Sequence, residues 1–116
     1  MMRATIKDYT SPDIDLDEFF PENPGDFGFL LQIYVGPRGE ESQESFEVFV
    51  CTSKWIGRWV SNNGPLVGRG LLLVEEYSLN SIKNFLEKIV ESFESYDWED
   101  MAKKISRIGR WEFEEY

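Results

Sequence analysis

Carboxylates are the main candidates for chemistry in this sequence, because the chain has no histidine and a single cysteine, Cys51. Two close carboxylate pairs occur along the chain, Glu75 with Glu76 and Glu112 with Glu114. A glycosidase-type mechanism needs two carboxylates that face each other across a cleft, one of them with a raised pKa. Glu75 and Glu76 are adjacent on a predicted strand and therefore point to opposite faces. Glu112 and Glu114 share a face, but no neighbouring residue type gives them different environments. We therefore expect no catalytic residue.

The acidic stretch Asp13, Asp15 and Asp17 resembles the start of a calcium-binding loop. An EF-hand loop that begins at Asp13 needs glycine at its sixth position and glutamate at its twelfth. Glu18 and Pro24 stand there instead. A zinc site of thiolates and imidazoles is also excluded within a chain that has one cysteine and no histidine. The stretch is interpreted as an acidic solvated loop, and we expect neither a metal nor a cofactor.

The missing histidine also removes the usual general base near neutral pH, and with it Ser-His-Asp and Cys-His catalysis within the chain. A lone cysteine fits a reducing cytoplasm, and Cys51 is interpreted as a small packing residue. Residues 1–9 lack the apolar run of a secretory signal, and no stretch approaches the about 18 apolar residues that a transmembrane helix needs. The sequence therefore predicts a cytoplasmic protein that is not an enzyme and has no membrane partner.

The charge of the chain favours a protein partner. Its 22 acidic and 12 basic residues give a formal net charge of −10 among 116 residues. Residues 1–26 and 71–116 each carry a net charge of −5, whereas residues 27–70 are neutral. Such a chain repels the phosphates of nucleic acids and of anionic lipids, and it attracts basic protein surfaces.

Hydrophobic periodicity gives the elements that position these side chains. Apolar residues with a period of two predict strands at residues 2–9, 27–35 and 46–51. Further strands are predicted at residues 71–77, buried on both faces, and at 111–116. Helical spacing predicts a short helix at residues 53–61, a longer one from residue 80 to about 95, and a short one near residues 97–105. The resulting order, βββαβααβ, predicts one α+β domain over residues 1–116, with a mainly antiparallel sheet and helices packed on one face.

Strand alternation predicts which side chains share a sheet face. The helices are expected to cover the face that bears Phe29, Leu31, Ile33, Phe46, Val48, Val50, Trp111 and Phe113. The opposite face then mixes aromatic and acidic residues, and its predicted partner-binding residues are Tyr34, Glu47, Phe49, Glu112, Glu114 and Tyr116. Aromatic anchors supply affinity at interfaces, while charge supplies on-rate and selectivity. An ordinary wet sheet face, with Tyr34 and Phe49 as a cross-strand pair, remains an equal alternative.

Two further features have competing interpretations. Trp55 and Trp59 lie four residues apart and share a helix face. Packing of a small helix onto the sheet is favoured for Trp55, whereas Trp59 is equally compatible with packing and with binding. Gly64, Gly68 and Gly70 precede a strand, with a spacing that matches no phosphate-binding motif, and are interpreted as a flexible turn.

Several stretches resemble the immunity protein 8 family of bacterial polymorphic toxin systems, in order and over nearly the whole chain. They are Ser11-Pro12-Asp13-Ile14, Asp26-Phe27-Gly28-Phe29-Leu30-Leu31, Val35-Gly36-Pro37, Glu44-Ser45-Phe46, Val50-Cys51-Thr52-Ser53-Lys54-Trp55 and Arg107-Ile108-Gly109-Arg110-Trp111-Glu112-Phe113-Glu114-Glu115-Tyr116. The resemblance implies a small cytoplasmic α+β protein that binds and neutralises a cognate toxin domain. Such a protein protects the producing cell and its siblings, including in contact-dependent growth inhibition.

The resemblance supplies no catalytic residue and no toxin-contact position. If the toxin is a nuclease, its substrate groove would be basic, and an acidic inhibitor could occupy that groove or bind beside it. Two other functions stay open from the residues alone. One is an acidic, non-catalytic binding or regulatory module unrelated to toxins, and the other is a small carboxylate hydrolase.

Overall fold

Six strands and three helices occur along residues 1–114, which are the residues that the computed structural model describes. The strands are β1 (Met2–Thr10), β2 (Gly28–Pro37), β3 (Glu44–Thr52), β4 (Leu71–Val74), β5 (Glu94–Ser95) and β6 (Arg110–Trp111). The helices are α1 (Ser53–Asn63), α2 (Leu79–Ser92) and α3 (Trp98–Ile105). None of these helices is long and apolar enough to cross a membrane.

The strands form one sheet in the order β4-β3-β2-β1-β5, and β6 pairs with β3 beside this path. Neighbouring strands run antiparallel except β3 and β4, which run parallel. Parallel neighbours need a crossover connection, and α1 lies in the one between β3 and β4. The predicted α+β fold with a mainly antiparallel sheet is confirmed, and β4 makes the sheet mixed.

The core lies between one face of this sheet and two helices. Alternate residues of β2 and β3, such as Phe29 and Phe46, are buried on that face. The helices contribute one stripe each, which comprises Ile82, Leu86 and Val90 of α2 together with Met101, Ala102 and Ile105 of α3. Spacings of three and four residues place each set on one helix face, so the periodicity in the sequence corresponds to real burial.

Helix α1 takes a different position from α2 and α3. Its Trp55 ring packs against Phe49, with 5.1 Å between the ring centroids. Phe49 alternates with the core residues Val48 and Val50, so it points to the other sheet face. The expected cover of helices on one face is therefore supplied by α2 and α3, while α1 packs at the end of the opposite face.

The C-terminal strand is shorter than predicted, and the inward placement of Phe113 is wrong. Pairing with β3 aligns Trp111 with Phe46, and its last backbone hydrogen bond is donated by the Glu112 N–H to the Ser45 carbonyl at 3.1 Å. The chain turns there, with the Glu114 N–H donating to the Trp111 carbonyl at 3.0 Å. Phe113 consequently leaves the sheet and is 61% exposed. The predicted order also lacks β5, a two-residue strand that pairs with Met2 and Arg3.

Candidate functional site

The sheet face opposite the core, called the outer face here, brings three of the predicted residues together. Antiparallel register places Tyr34 beside Ser45, Gln32 beside Glu47, and Leu30 beside Phe49. Tyr34, Glu47 and Phe49 thus occupy three successive rows on two neighbouring strands, and each is partly exposed. The alternation in the sequence predicted this grouping because side-chain direction in a paired strand has a fixed period of two.

Hydrogen bonds hold the Tyr34 ring on the outer face. Its hydroxyl lies 2.9 Å from Thr10 Oγ1, and Thr10 Oγ1 donates to Gln32 Oε1 at 3.0 Å. Since a threonine hydroxyl has one proton, the Tyr34 hydroxyl is the donor in the first of these bonds. The lone pairs of the Tyr34 oxygen can still accept a hydrogen bond from a partner.

Trp55 fixes α1 over the far end of the outer face. The Thr52 side chain caps α1 by accepting the Trp55 N–H, and this sets the first turn of the helix. The Trp55 ring then lies over Gly28, where a Cβ atom would come within 2.7 Å of Trp55 Cδ2 and Cε2. Trp55 therefore packs the helix onto the sheet, as the sequence favoured.

An apolar groove of about 280 Å³ opens between α1, residues 64–70 and the outer face. We call it the α1 groove, and its larger apolar lining residues are Leu30, Phe49, Trp55, Trp59, Leu66 and Leu71. Glu47, Arg69 and Arg110 supply its charged lining. Apolar grooves with a few charged groups are typical of recognition sites. Trp59, which the sequence left open, belongs to this groove.

Sequence reasoning missed the wall that residues 64–70 form. Leu66 is 41% and Val67 is 81% exposed, so this wall presents apolar side chains to solvent. Gly64 and Gly70, with φ of 92° and 81°, provide backbone conformations that other residues rarely adopt. The three glycines were the available signal, although their spacing could not show that the segment faces Phe49 and Trp59.

The two C-terminal glutamates are engaged with the protein itself. The Glu112 carboxylate accepts the Ser45 N–H at 2.9 Å, which places it at the margin of the outer face beside the Tyr34 row. Glu114 forms an ion pair with Arg69, and the Arg69 Nη1 to Glu114 Oε2 distance is 2.7 Å. This hydrogen bond lowers the pKa of Glu114 below its ordinary value. Tyr116, the last predicted member, lies outside the described residues.

The acidic loop after β1 uses its carboxylates in local hydrogen bonds. Asp13 Oδ2 accepts the Leu30 N–H at 2.7 Å, and Asp15 Oδ1 accepts the Asp17 N–H at 3.0 Å. Over residues 1–114, no group of three or more acidic or cysteine side chains is arranged to hold a metal ion. Cys51 is fully buried, and burial raises the pKa of its thiol. The acidic loop and Cys51 thus contribute to the structure of the protein.

The family model described as immunity protein 8 matches residues 4–116. No curated protein and no solved structure is similar to this chain at a significant level.

Proposed function

This chain belongs to the immunity protein 8 family, and we propose that it binds a cognate bacterial toxin domain and neutralises it by stoichiometric binding. The family match over residues 4–116 is the observation that carries the proposal. The protein would act in the cytoplasm of the producing cell, without catalysis, metal or cofactor. It would protect that cell and its siblings in polymorphic toxin and contact-dependent inhibition systems.

We propose that the toxin binds the outer face and the adjoining α1 groove. Tyr34, Glu47 and Phe49 would form the centre of this interface, with Glu112, Glu114 and Tyr116 toward the C-terminus. Support comes from the combination of partly exposed aromatic rings, an apolar groove and carboxylates on one side of the molecule. Large rigid aromatic side chains concentrate binding energy at interfaces, while surrounding charges set orientation.

The net charge of −10 supports a toxin with a basic binding surface. Long-range attraction between opposite charges raises association rates, and an inhibitor must capture its toxin before the toxin reaches its target. A nuclease domain would present such a surface, because its groove binds phosphates. The net charge on its own fits any basic protein partner, so the family match is what selects a toxin.

The proposal predicts that a toxin domain is encoded immediately upstream of this gene, and the test uses that domain with its active site inactivated. Purified toxin domain and this protein should form a 1:1 complex in titration calorimetry. Coexpression of this protein should restore growth of cells that produce the active toxin domain. A non-cognate toxin domain serves as the control and should neither bind nor be neutralised. Lack of binding to the upstream toxin domain, together with lack of protection, would rule out the proposed function.

A further inference from the structure

We propose that the free edge of β4 is a docking strand to which an extended, basic segment of the toxin adds by backbone hydrogen bonds. This inference rests on the proposed function for the identity of the partner. It adds a second binding element to the outer face, since Leu71 of β4 also lines the α1 groove.

Among residues 1–114, β4 ends the sheet and pairs on one side only. Its one neighbour within residues 1–114 is β3, with Phe49 opposite Leu71 and Thr52 opposite Val74. At the other end of the sheet, the two-residue β5 pairs with Met2 and Arg3 of β1, and α2 contacts β1 further along, where the Tyr9 hydroxyl donates to Glu87. Native proteins commonly protect an edge with lysine, proline or a bulge, but β4 is the uninterrupted apolar sequence Leu71-Leu72-Leu73-Val74.

Backbone alternation shows which groups of β4 are available. The Gly70 carbonyl accepts the Phe49 N–H at 2.7 Å, so Gly70 faces β3. The backbone N–H and C=O groups of every second residue point the same way. Those of Leu71 and Leu73 therefore point to the free side of β4. The Leu71 N–H is already donated to the Gly68 carbonyl at 3.1 Å. A residue opposite Leu73 in an antiparallel strand could therefore exchange both N–H···O=C bonds with it.

Apolar side chains lie on both sides of this edge. Leu73 is 53% exposed, which corrects the predicted burial of this strand on both faces. The prediction failed because no element covers the edge within the described residues. On the other side, an open groove of about 460 Å³ separates β4 from α2, with the 51% exposed Phe85 in its lining. A strand added here would place alternate apolar side chains against Leu73 and into this groove.

Charge favours a basic toxin segment over a second copy of this chain. The exposed Glu75 and Glu76 follow β4 directly and line the same groove. A lysine or arginine at the end of the added strand would meet these carboxylates. A second copy would instead bring two chains of net charge −10 together, which is repulsive.

The test uses Leu73→Pro, which removes the N–H on the free side and leaves the groups that face β3 in place. Proline is tolerated on edge strands with this orientation. The matched control is Leu73→Val, which keeps the N–H and introduces an apolar side chain similar in size to that of proline. Titration with the inactivated upstream toxin domain should show affinity at least about tenfold weaker for Leu73→Pro, and little changed for Leu73→Val. Circular dichroism of the free variants checks the fold.

Hydrogen exchange on the unmodified protein gives a second readout that needs no variant. The Leu73 amide should exchange rapidly in the free protein and slowly in the toxin complex, while the Leu71 amide changes little. Wild-type affinity of Leu73→Pro, or an unprotected Leu73 amide in the complex, would overturn the docking strand even though the toxin binds. A dimer of the free protein that Leu73→Pro dissociates would assign the edge to a second copy. Absence of toxin binding by the unmodified protein is the separate result that rejects the proposed function.

Discussion

At the residue scale, Cys51 shows how burial removes chemistry from a reactive side chain. Its thiol is fully buried and its pKa is raised by burial, so the nucleophilic thiolate is scarce at neutral pH. We expect a disulfide reagent to leave the native protein unmodified at pH 7.5 and to label it only as denaturant unfolds it. Labelling should follow the circular dichroism transition. Rapid labelling without loss of the folded signal would contradict this expectation.

Gly28 and Gly57 form a matched pair for testing the Trp55 contact. A Cβ at Gly28 would lie 2.7 Å from the Trp55 ring, so Gly28→Ala should destabilise the protein by about 1–3 kcal/mol through overpacking. Gly57 lies within α1 and has open space around it, so Gly57→Ala should stabilise by about 0.5–1 kcal/mol through helix propensity. Urea unfolding measures both values. Equal effects of the two substitutions would show that Trp55 does not pack against Gly28.

At the element scale, one ion pair connects α1 to the segment that precedes β2. Arg58 donates to both carboxylate oxygens of Asp26, with distances of 2.9 and 2.8 Å. These hydrogen bonds lower the pKa of Asp26 below its ordinary value of 3.8. The unfolded state therefore binds more protons than the folded state near this pH. The contribution of Asp26 to stability is present above pH 3.8 and is lost as the pH falls through the lowered folded pKa.

Asp26→Asn should make stability less dependent on pH in the acid range. The melting temperature of the unmodified protein should fall more steeply than that of Asp26→Asn as the pH decreases from 5 to below 3.8. Asp17→Asn is the control, because the Asp17 side chain is exposed and has no ion pair within residues 1–114. If the melting temperatures of the unmodified protein and of Asp26→Asn fall in parallel as the pH decreases, the Arg58 contact does not couple α1 to the sheet.

Comparison of the elements with their sequences shows which parts of this fold the sequence pattern predicts. The hairpin of β2 and β3 was predictable because Phe29, Leu31 and Phe46 repeat with the period of a half-buried strand. Two-residue strands such as β5 carry no periodicity, so they become visible only through pairing in three dimensions. The candidate site also has a part that the sequence predicts and a part that it does not. Alternation places Tyr34 and Glu47 on one face, but it cannot reveal that Arg69, distant in sequence, engages Glu114.

At the scale of the whole molecule, the net charge of −10 should govern how fast the toxin associates. Salt shortens the range of charge interactions to about 8 Å at 0.15 M ionic strength. Association of the upstream toxin domain should therefore slow as sodium chloride is raised, while dissociation changes less. Stopped-flow measurement of both rates tests this expectation. An association rate that does not depend on salt would show that the net charge does not speed association with the toxin.

Charge-reversal variants distinguish the effect of the net charge from the effect of contacts at the proposed interface. Glu47→Lys changes the net charge by +2 on the outer face, whereas Glu99→Lys makes the same change on α3, where the Glu99 side chain is 75% exposed. Both variants should lose a similar part of the long-range attraction, because it depends on total charge. Glu47→Lys alone should also raise the dissociation rate, since an interfacial charge is then mismatched against the toxin. Weakening of toxin binding by Glu47→Lys and Glu99→Lys to the same extent, with unchanged dissociation rates, would place the interface away from the outer face.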